Sequence, residues 1–214
     1  MIAIKAASAN DAWHQTMTSL YDQGQDTGIE KYFRDEMMVI EVANPIVEPA
    51  DPLFPMQQTD LDVINRYMVT GQDEDKVAHE WTKLYYHRAF DEPNSQVEFL
   101  LECLSPDQPI GEAQISMWDK AQDQHRGICP CTQIVWARIK HGKLELHVHT
   151  NSSDAYKKLL MNMLEFIALH HYLAKRAGVQ VGSYYHILDS CHFYGKDKEA
   201  IERTLTATMQ PQTK

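Results

Sequence analysis

The chain has 214 residues, 43% of them hydrophobic, and a formal net charge of -10 at pH 7. This length suits one domain with a well-buried core and leaves little room for a second. The acidic balance argues against stable nucleic-acid binding, which needs clustered Lys and Arg against the phosphate backbone. A small ligand or a protein partner fits the composition better.

The N-terminal stretch MIAIKAASANDAW lacks the apolar segment of a signal peptide. No later run is apolar over the ~20 residues that a membrane span requires, so we expect a cytoplasmic protein without membrane association. In a chain of this size and a reducing compartment, cysteines do not indicate a disulfide framework. The four cysteines are Cys103, Cys129, Cys131 and Cys191.

The first half of the chain predicts helices and strands around a proline-rich loop. Residues 10–25 carry apolar side chains at helical spacing, which predicts a helix from about Asp11. The apolar stretch MMVIEVANP, residues 37–45, predicts a strand, and three prolines within residues 46–60 predict an irregular loop. Further helices are predicted over 60–69, 76–90 and 95–104, and a further strand over 111–118.

The second half begins with a β-hairpin pattern. Apolar and polar residues alternate over 132–149 around His141-Gly142, a composition typical of a tight turn. The strongest helical pattern follows and ends at Gly178. Its N-terminal cap is predicted to be one of three polar residues, Ser152, Ser153 or Asp154.

A last strand is predicted over residues 179–188, with the segment 189–197 leaving its end. Residues 206–214 are expected to be frayed, as chain termini often are. No internal repeat is recognisable.

The stretch GICPCTQ, residues 127–133, holds the first candidates for chemistry. Cys129 and Cys131 lie directly before the predicted hairpin. A reactive cysteine needs a thiol pKa lowered by a nearby cation or hydrogen-bond donor, which Arg126 or His192 could supply. The alternative is that each cysteine is a small buried hydrophobic residue.

A zinc site is a third interpretation of these cysteines. It would combine them with His147 and His149, which share one face of a strand. A C-x-C pair departs from the usual C-x₂₋₄-C spacing of zinc ligands, so we predict no metal.

Polar residues in unusual places add further candidates. Asn162 lies inside the most apolar helix, where an unbonded amide would cost about 1–3 kcal/mol. Either it bonds a neighbouring backbone group, or its donor and acceptor match the carbonyl and N–H edge of a uracil. His192 and Tyr194 alternate along an extended segment, so both could reach one ligand, although His192 alone is also compatible with a structural role.

Together, the order and spacing of these residues resemble the thymidylate synthase family. That family has a Pro-Cys nucleophile before a hairpin, then Gly-Lys-Leu, Arg-Ser-x-Asp, an Asn inside a long helix, and His-x-Tyr. The corresponding residues here are Pro130-Cys131, Gly142-Lys143-Leu144, Asn151-Ser152-Ser153-Asp154, Asn162 and His192-Phe193-Tyr194. The resemblance is strongest over 97–194. It implies one domain, residues 1–214, with an α/β (α+β) fold in which helices pack on a mixed sheet, and a homodimer assembled through that sheet.

The resemblance implies transfer of a one-carbon unit from 5,10-methylenetetrahydrofolate to C5 of a pyrimidine nucleotide, most simply dUMP. The thiolate of Cys131 would add to C6 of the ring and make C5 nucleophilic, while the neighbouring Cys129 stands where the family more often has proline. The implied binding residues are Asn162 for the pyrimidine edge, His192 and Tyr194 for the sugar hydroxyl, Ser152 near the phosphate and Asp154 for the folate pterin.

This chain departs from the family at the residues that hold phosphate. Asn151 stands in place of the family's arginine before Ser152, and Gly111-Glu112 stand in place of an Arg-Arg pair. The early Arg-Thr-Gly loop is not recognisable. We expect Arg126, five residues before Cys131, to bind the phosphate instead, with two further candidates in Arg34 and Arg138.

The family's catalytic glutamate falls near Ile64 in this chain. Asp62 and Asn65 are therefore the candidates to replace it in catalysis.

Two other functions stay open. A pyrimidine nucleotide 5-hydroxymethylase is favoured by a site without a closing C-terminal flap, since the chain continues only about twenty residues beyond Tyr194. A non-catalytic relative that binds a nucleotide or partner is favoured by the missing arginines and opposed by the retained Cys131.

Overall fold

The computed structural model describes residues 1–91, 93–104, 111–125, 127 and 129–209. A six-stranded sheet lies at the centre of these residues, in the order β1-β2-β6-β5-β4-β3. β1 pairs parallel with β2 and β5 pairs parallel with β6, whereas the other neighbours are antiparallel. The strands are β1 (Ile2–Ala6), β2 (Tyr32–Val42), β3 (Gln114–Ser116), β4 (Thr132–Lys140), β5 (Lys143–Asp154) and β6 (Gln180–Tyr194).

Helices pack on this mixed sheet, which confirms the predicted α/β architecture of a single domain. They are α1 (Ala9–Gln23), α2 (Gln58–Thr70), α3 (Glu80–Phe90), α4 (Gln96–Cys103), α5 (Lys120–Asp123), α6 (Leu159–Arg176) and α7 (Lys198–Met209). Short 3₁₀ turns occur at Glu74–Lys76 and Gly195–Asp197. Among the described residues, no helix is long and apolar enough to cross a membrane.

The helix α6 forms the centre of the core. Most of its residues are buried, including the predicted apolar stripe from Leu160 to Ile167. Full burial of each such side chain contributes about 1.5–3 kcal/mol to folding. The helix ends at Arg176, and Gly178 follows with a φ of 69°, the left-handed conformation predicted for a terminating glycine. This buried helix gives the polar residues on it a rigid support.

The predicted cap of α6 is wrong. β5 continues through Ser152 and Ser153 to Asp154, because these residues pair with residues 190–192 of β6. The helix begins at Leu159 after a turn, and no side chain caps it. The Asp154 Oδ1 atom instead accepts the backbone N–H groups of residues 156 and 157, at 2.9 and 3.2 Å.

Other elements also differ from the predictions. β6 continues to Tyr194 instead of ending at 188, because β2 and β5 both pair with its last residues. The helix α7 extends to Met209, where fraying was expected from 206, and it buries Ile201 and Leu205. β1 was not predicted, since a short edge strand gives little periodic signal.

Candidate active site

A cavity of ≈ 210 Å³ lies at the carboxyl ends of β5 and β6, beside the start of α6. The carboxyl ends of parallel strands are a common position for ligand sites in α/β proteins. Six residues predicted to act in binding or catalysis line it together: Cys131, Ser152, Asp154, Asn162, His192 and Tyr194. The other described residues of its wall are His79, Trp81, Tyr85, Ser153 and Lys158.

Cys131 lies at the entry to β4 with its thiol half-buried. The Ser152 hydroxyl is 3.9 Å from its Sγ atom, and the backbone N–H of Asn151 donates to its carbonyl at 2.9 Å. Burial raises the pKa of the Cys131 thiol, whereas the contact with Ser152 lowers it. Cys129 does not line the cavity, and its thiol lies 3.5 Å from the carbonyl oxygen of Asp123.

Asp154 and His192 are cross-strand partners in the sheet. The backbone N–H of Ala155 donates to the His192 carbonyl at 3.0 Å, which fixes the two residues side by side. Burial raises the pKa of the Asp154 carboxyl, and its two backbone hydrogen bonds lower it. Asp154 is 8% exposed, so its carboxyl group is held in the wall of the cavity.

His192 belongs to a cluster of three rings. The centroids of Tyr32 and Tyr194 are 4.7 and 4.9 Å from that of His192, and 5.1 Å from each other. Burial lowers the pKa of His192 and raises the pKa of Tyr194 to about 12. Both side chains are therefore neutral near pH 7 and can donate or accept hydrogen bonds.

Three buried polar atoms in the cavity wall have no hydrogen-bond partner within the described part of the chain. They are Asn162 Oδ1, Ser153 Oγ and His192 Nε2. Such an atom costs about 1–3 kcal/mol when it stays unpaired. A polar ligand in the cavity would remove this cost, so these atoms indicate a binding site rather than a packed core.

The two candidates for the catalytic carboxylate are not brought to this cavity. Asp62 is exposed on α2, where its carboxylate accepts from the Gln58 amide at 2.7 Å. Asn65 has a buried Oδ1 atom without a described partner, but the residue does not line the cavity either. Ile64, the residue nearest to the expected position of the family's glutamate, is buried and has no ionisable side chain.

The arginines expected at the phosphate are placed elsewhere or are not described. Arg126 lies outside the described residues. Arg34 donates to the carbonyl oxygens of Tyr21 and Phe33 at 3.1 and 3.0 Å. Arg138 donates to Glu145 at 2.6 Å. The guanidinium groups of these two arginines are thus engaged in other contacts.

Lysines, unlike Arg34 and Arg138, line the cavity or the cleft beside it. Lys158 lines the cavity itself, and burial lowers its pKa. A neighbouring cleft of ≈ 530 Å³ is lined by Glu30, Lys31, Gly195 and Lys196, and it shares Tyr194 with the cavity. Isolated lysines form no recognisable motif, so Lys31, Lys158 and Lys196 were not identified from the sequence.

Among the described residues, no group of three or more His, Cys, Asp or Glu side chains is arranged to hold a metal ion. The zinc interpretation had combined the two cysteines with His147 and His149. His147 instead packs between the rings of Trp136 and Tyr185, at 4.9 and 4.6 Å. His149 Nε2 lies 3.1 Å from the Asp189 carboxylate.

The fold and the cavity together define a protein of the thymidylate synthase type. The sequence model of the family described as "Thymidylate synthase" matches residues 61–214. The solved structure of thermostable thymidylate synthase A from Bacillus subtilis has a TM-score of 0.71 to this chain at 15% identity. The superposition covers 93% of this chain and 84% of that one, so the two share a fold.

Two archaeal relatives match over nearly the whole chain. Each bears the name "Putative thymidylate synthase". The protein from Methanocaldococcus jannaschii is 25% identical, over 91% of both chains, and that from Methanosarcina acetivorans is 24% identical, over 93% of this chain and 92% of its own. A thymidylate synthase from Corynebacterium aurimucosum is 24% identical over 52% of this chain and 41% of its own.

This chain therefore belongs to the thymidylate synthase family. Membership of this family supports an enzyme of the methyltransferase type that transfers a one-carbon unit to a pyrimidine. The match begins well before residue 97, where the resemblance seen in the sequence was strongest.

Proposed function

We propose that this protein transfers a one-carbon unit from 5,10-methylenetetrahydrofolate to C5 of a pyrimidine nucleotide, most simply dUMP, through a covalent adduct with Cys131. One observation carries this: Cys131, Asn162 and His192, from three separate parts of the chain, line one cavity. A nucleophilic thiol and an unpaired amide in one cavity could attack a pyrimidine ring and hold it in place. The family assignment supports the same class of reaction.

The polar wall matches a uracil nucleotide. The Oδ1 atom of Asn162 would accept the ring N–H, and its amide N–H₂ would donate to a ring carbonyl. His192 and Tyr194 would bond the sugar hydroxyl, because both are neutral and lie side by side. Ser152 would donate near the phosphate, and Lys31 and Lys196 in the adjoining cleft supply positive charge for it.

The folate would be held by Asp154. One carboxylate oxygen already accepts two backbone N–H groups, whereas the second has no partner among the described residues. A buried carboxylate with one free oxygen fits the N–H groups of a pterin, and Trp81 in the same wall offers an aromatic face. The bound folate supplies the one-carbon unit.

We also propose a homodimer formed through the sheet. The face of the sheet that carries Ile134, Trp136, His147 and Tyr185 is only partly buried within one copy. Ile134 is 37% exposed. An apolar and aromatic sheet face of this kind favours association with a second copy.

Product analysis tests the function. The protein is incubated with methylenetetrahydrofolate and, in turn, dUMP, dCMP, UMP and CMP, and each nucleotide is then analysed by mass spectrometry. We expect a gain of one methyl group on dUMP. A hydroxymethyl product would assign the chain as a hydroxymethylase, and binding of nucleotides without any product would identify a non-catalytic relative; either result contradicts the proposed methyl transfer.

A further inference from the structure

A line of hydrogen-bonded side chains runs from the cavity to a buried carboxylate. His79, directly before α3, lines the cavity, and its Nδ1 atom is 3.1 Å from Thr82 Oγ1. The Thr82 hydroxyl lies 2.6 Å from Glu165 Oε2 on α6. Thr82 and Glu165 are both fully buried, at 0% exposure. These two side chains therefore connect the carboxylate to the cavity.

The direction of the hydrogen bonds follows from the number of protons. Thr82 has one hydroxyl proton, and the shorter contact assigns it to the Glu165 carboxylate. The contact between His79 and Thr82 must then have the Nδ1–H group of His79 as donor. This fixes the neutral tautomer in which Nε2 carries a lone pair. Nε2 has no hydrogen-bond partner in the described ranges of the chain, so it is available as a base.

A purely structural role does not explain why a carboxylate is buried at Glu165. Its Oε1 atom is buried without a described partner, and among the described residues the cation that acts on the carboxylate is Lys158, which makes no direct ion pair with it. An amide could make the same bond to Thr82 without the cost of burying a charge. Burial raises the pKa of Glu165 to about 7, against the lowering effects of Thr82 and Lys158. A buried carboxylate that can hold a proton reversibly near neutral pH is typical of functional sites.

The surrounding groups keep the histidine neutral. Burial lowers the pKa of His79 to about 4, with a further lowering from Lys158 and an opposing effect from Glu80. The phenols of Tyr85 and Tyr184 also interact with Glu165, and burial raises the pKa of both, so they remain neutral. The proton can therefore reside on the carboxyl group rather than on the imidazole.

Resting on the proposed function, we infer that His79, Thr82 and Glu165 form a proton relay in which His79 removes the C5 hydrogen of the pyrimidine and Glu165 receives the proton. The relay would replace the catalytic carboxylate that was expected at Asp62 or Asn65, neither of which lines the cavity.

The step balances without an external base. The C5–H bond breaks, its proton passes to Nε2 of His79, and its electron pair stays in the pyrimidine as an enolate over C4 and O4. The Nδ1 proton of His79 moves to Thr82, and the hydroxyl proton of Thr82 moves to Glu165. The imidazole ends neutral with its tautomer reversed, and the negative charge of the carboxylate has passed to the substrate.

Tritium release from [5-³H]dUMP in the presence of methylenetetrahydrofolate measures the step. We expect Thr82→Val and Glu165→Gln to lower kcat for release by about 100-fold, the scale of acid–base catalysis, while Thr82→Ser keeps the hydroxyl and most of the rate. The matched control Glu199→Gln changes an exposed carboxylate on α7 and should match the wild type. For the wild type, kcat for tritium release should increase as the pH rises through about 7, because Glu165 loses its proton there and can then accept one. The Glu165→Gln variant should show no such increase.

The tautomer of His79 is a second measurement, and it tests the hydrogen-bonded line independently of the reaction. ¹⁵N NMR of the histidine rings should show His79 as the Nδ1–H tautomer in the wild type and should show its loss in Thr82→Val. Absence of tritium release by the wild type, with this tautomer present, would refute the proposed function and leave the hydrogen-bonded line supported. An Nε2–H tautomer, or unchanged kcat and pH profile in folded Thr82→Val and Glu165→Gln, would overturn the relay.

Discussion

Burial at the cavity disfavours the charged forms of the residues that line it. It raises the pKa of Cys131 and Asp154 and lowers the pKa of His192 and Lys158. A thiol with a raised pKa is a weak nucleophile before substrate binds, because the thiolate is the reactive form. In the proposed reaction, charge or hydrogen bonds from the nucleotide and the folate would favour the thiolate. Such coupling would limit reaction of Cys131 with other electrophiles.

Asn162 is expected to select the base. An amide presents both a donor and an acceptor to uracil, whereas a carboxyl that can bind a proton suits the amino group and ring nitrogen of cytosine. We predict that Asn162→Asp shifts kcat/KM from dUMP toward dCMP. Competition assays with both nucleotides measure this. A wild type that already prefers dCMP, with no change in the variant, would show that Asn162 does not contact the base.

At the scale of elements, local pattern predicts some parts of the fold and tertiary pairing decides others. The hairpin of β4 and β5 and the helix α6 follow from periodicity and turn residues. The extensions of β5 to Asp154 and of β6 to Tyr194 cannot be predicted from local pattern, because they depend on pairing with strands distant in sequence. Those extensions place Asp154, His192 and Tyr194 in the site. His79 joins the site through the packing of α3 against α6, which no local pattern indicates.

The apolar side of α6 is expected to dominate stability. Leu169 is fully buried on this helix, away from the cavity lining. Leu169→Ala should lower the free energy of unfolding by about 2–5 kcal/mol, the usual cost of removing a buried leucine side chain. Urea unfolding measures the change. Leu53→Ala, at a leucine that is 38% exposed, is the matched control; equal effects from the two would contradict the assigned core.

At the scale of the whole molecule, the phosphate site is expected to be built from lysines. Each charge-assisted hydrogen bond contributes about 1.5–3 kcal/mol, so Lys31→Ala and Lys196→Ala should each weaken binding of dUMP by at least tenfold. Deoxyuridine, which lacks the phosphate, should bind these variants as tightly as it binds the wild type. Calorimetric titration with both ligands measures the difference, with Lys175→Ala on an exposed part of α6 as control. Unchanged dUMP binding in both variants would exclude these lysines.

The sheet face gives a prediction about assembly. A charged group at Ile134 would face the second copy, where its burial is costly. We predict that Ile134→Glu converts a dimer into monomers, as measured by sedimentation velocity, while Leu53→Glu in a loop leaves the dimer intact. A monomeric wild type, or a dimer that survives Ile134→Glu, would contradict association through this face.

Tritium release by cysteine variants tests covalent catalysis by Cys131 most directly. Cys131 lines the cavity beside Ser152, whereas the thiol of Cys129 lies 3.5 Å from the Asp123 carbonyl and outside the cavity wall. With [5-³H]dUMP and methylenetetrahydrofolate, we predict that Cys131→Ser abolishes release and that Cys129→Ala retains most of the wild-type rate. Release that persists in folded Cys131→Ser, or equal loss from both variants, would contradict nucleophilic catalysis by Cys131.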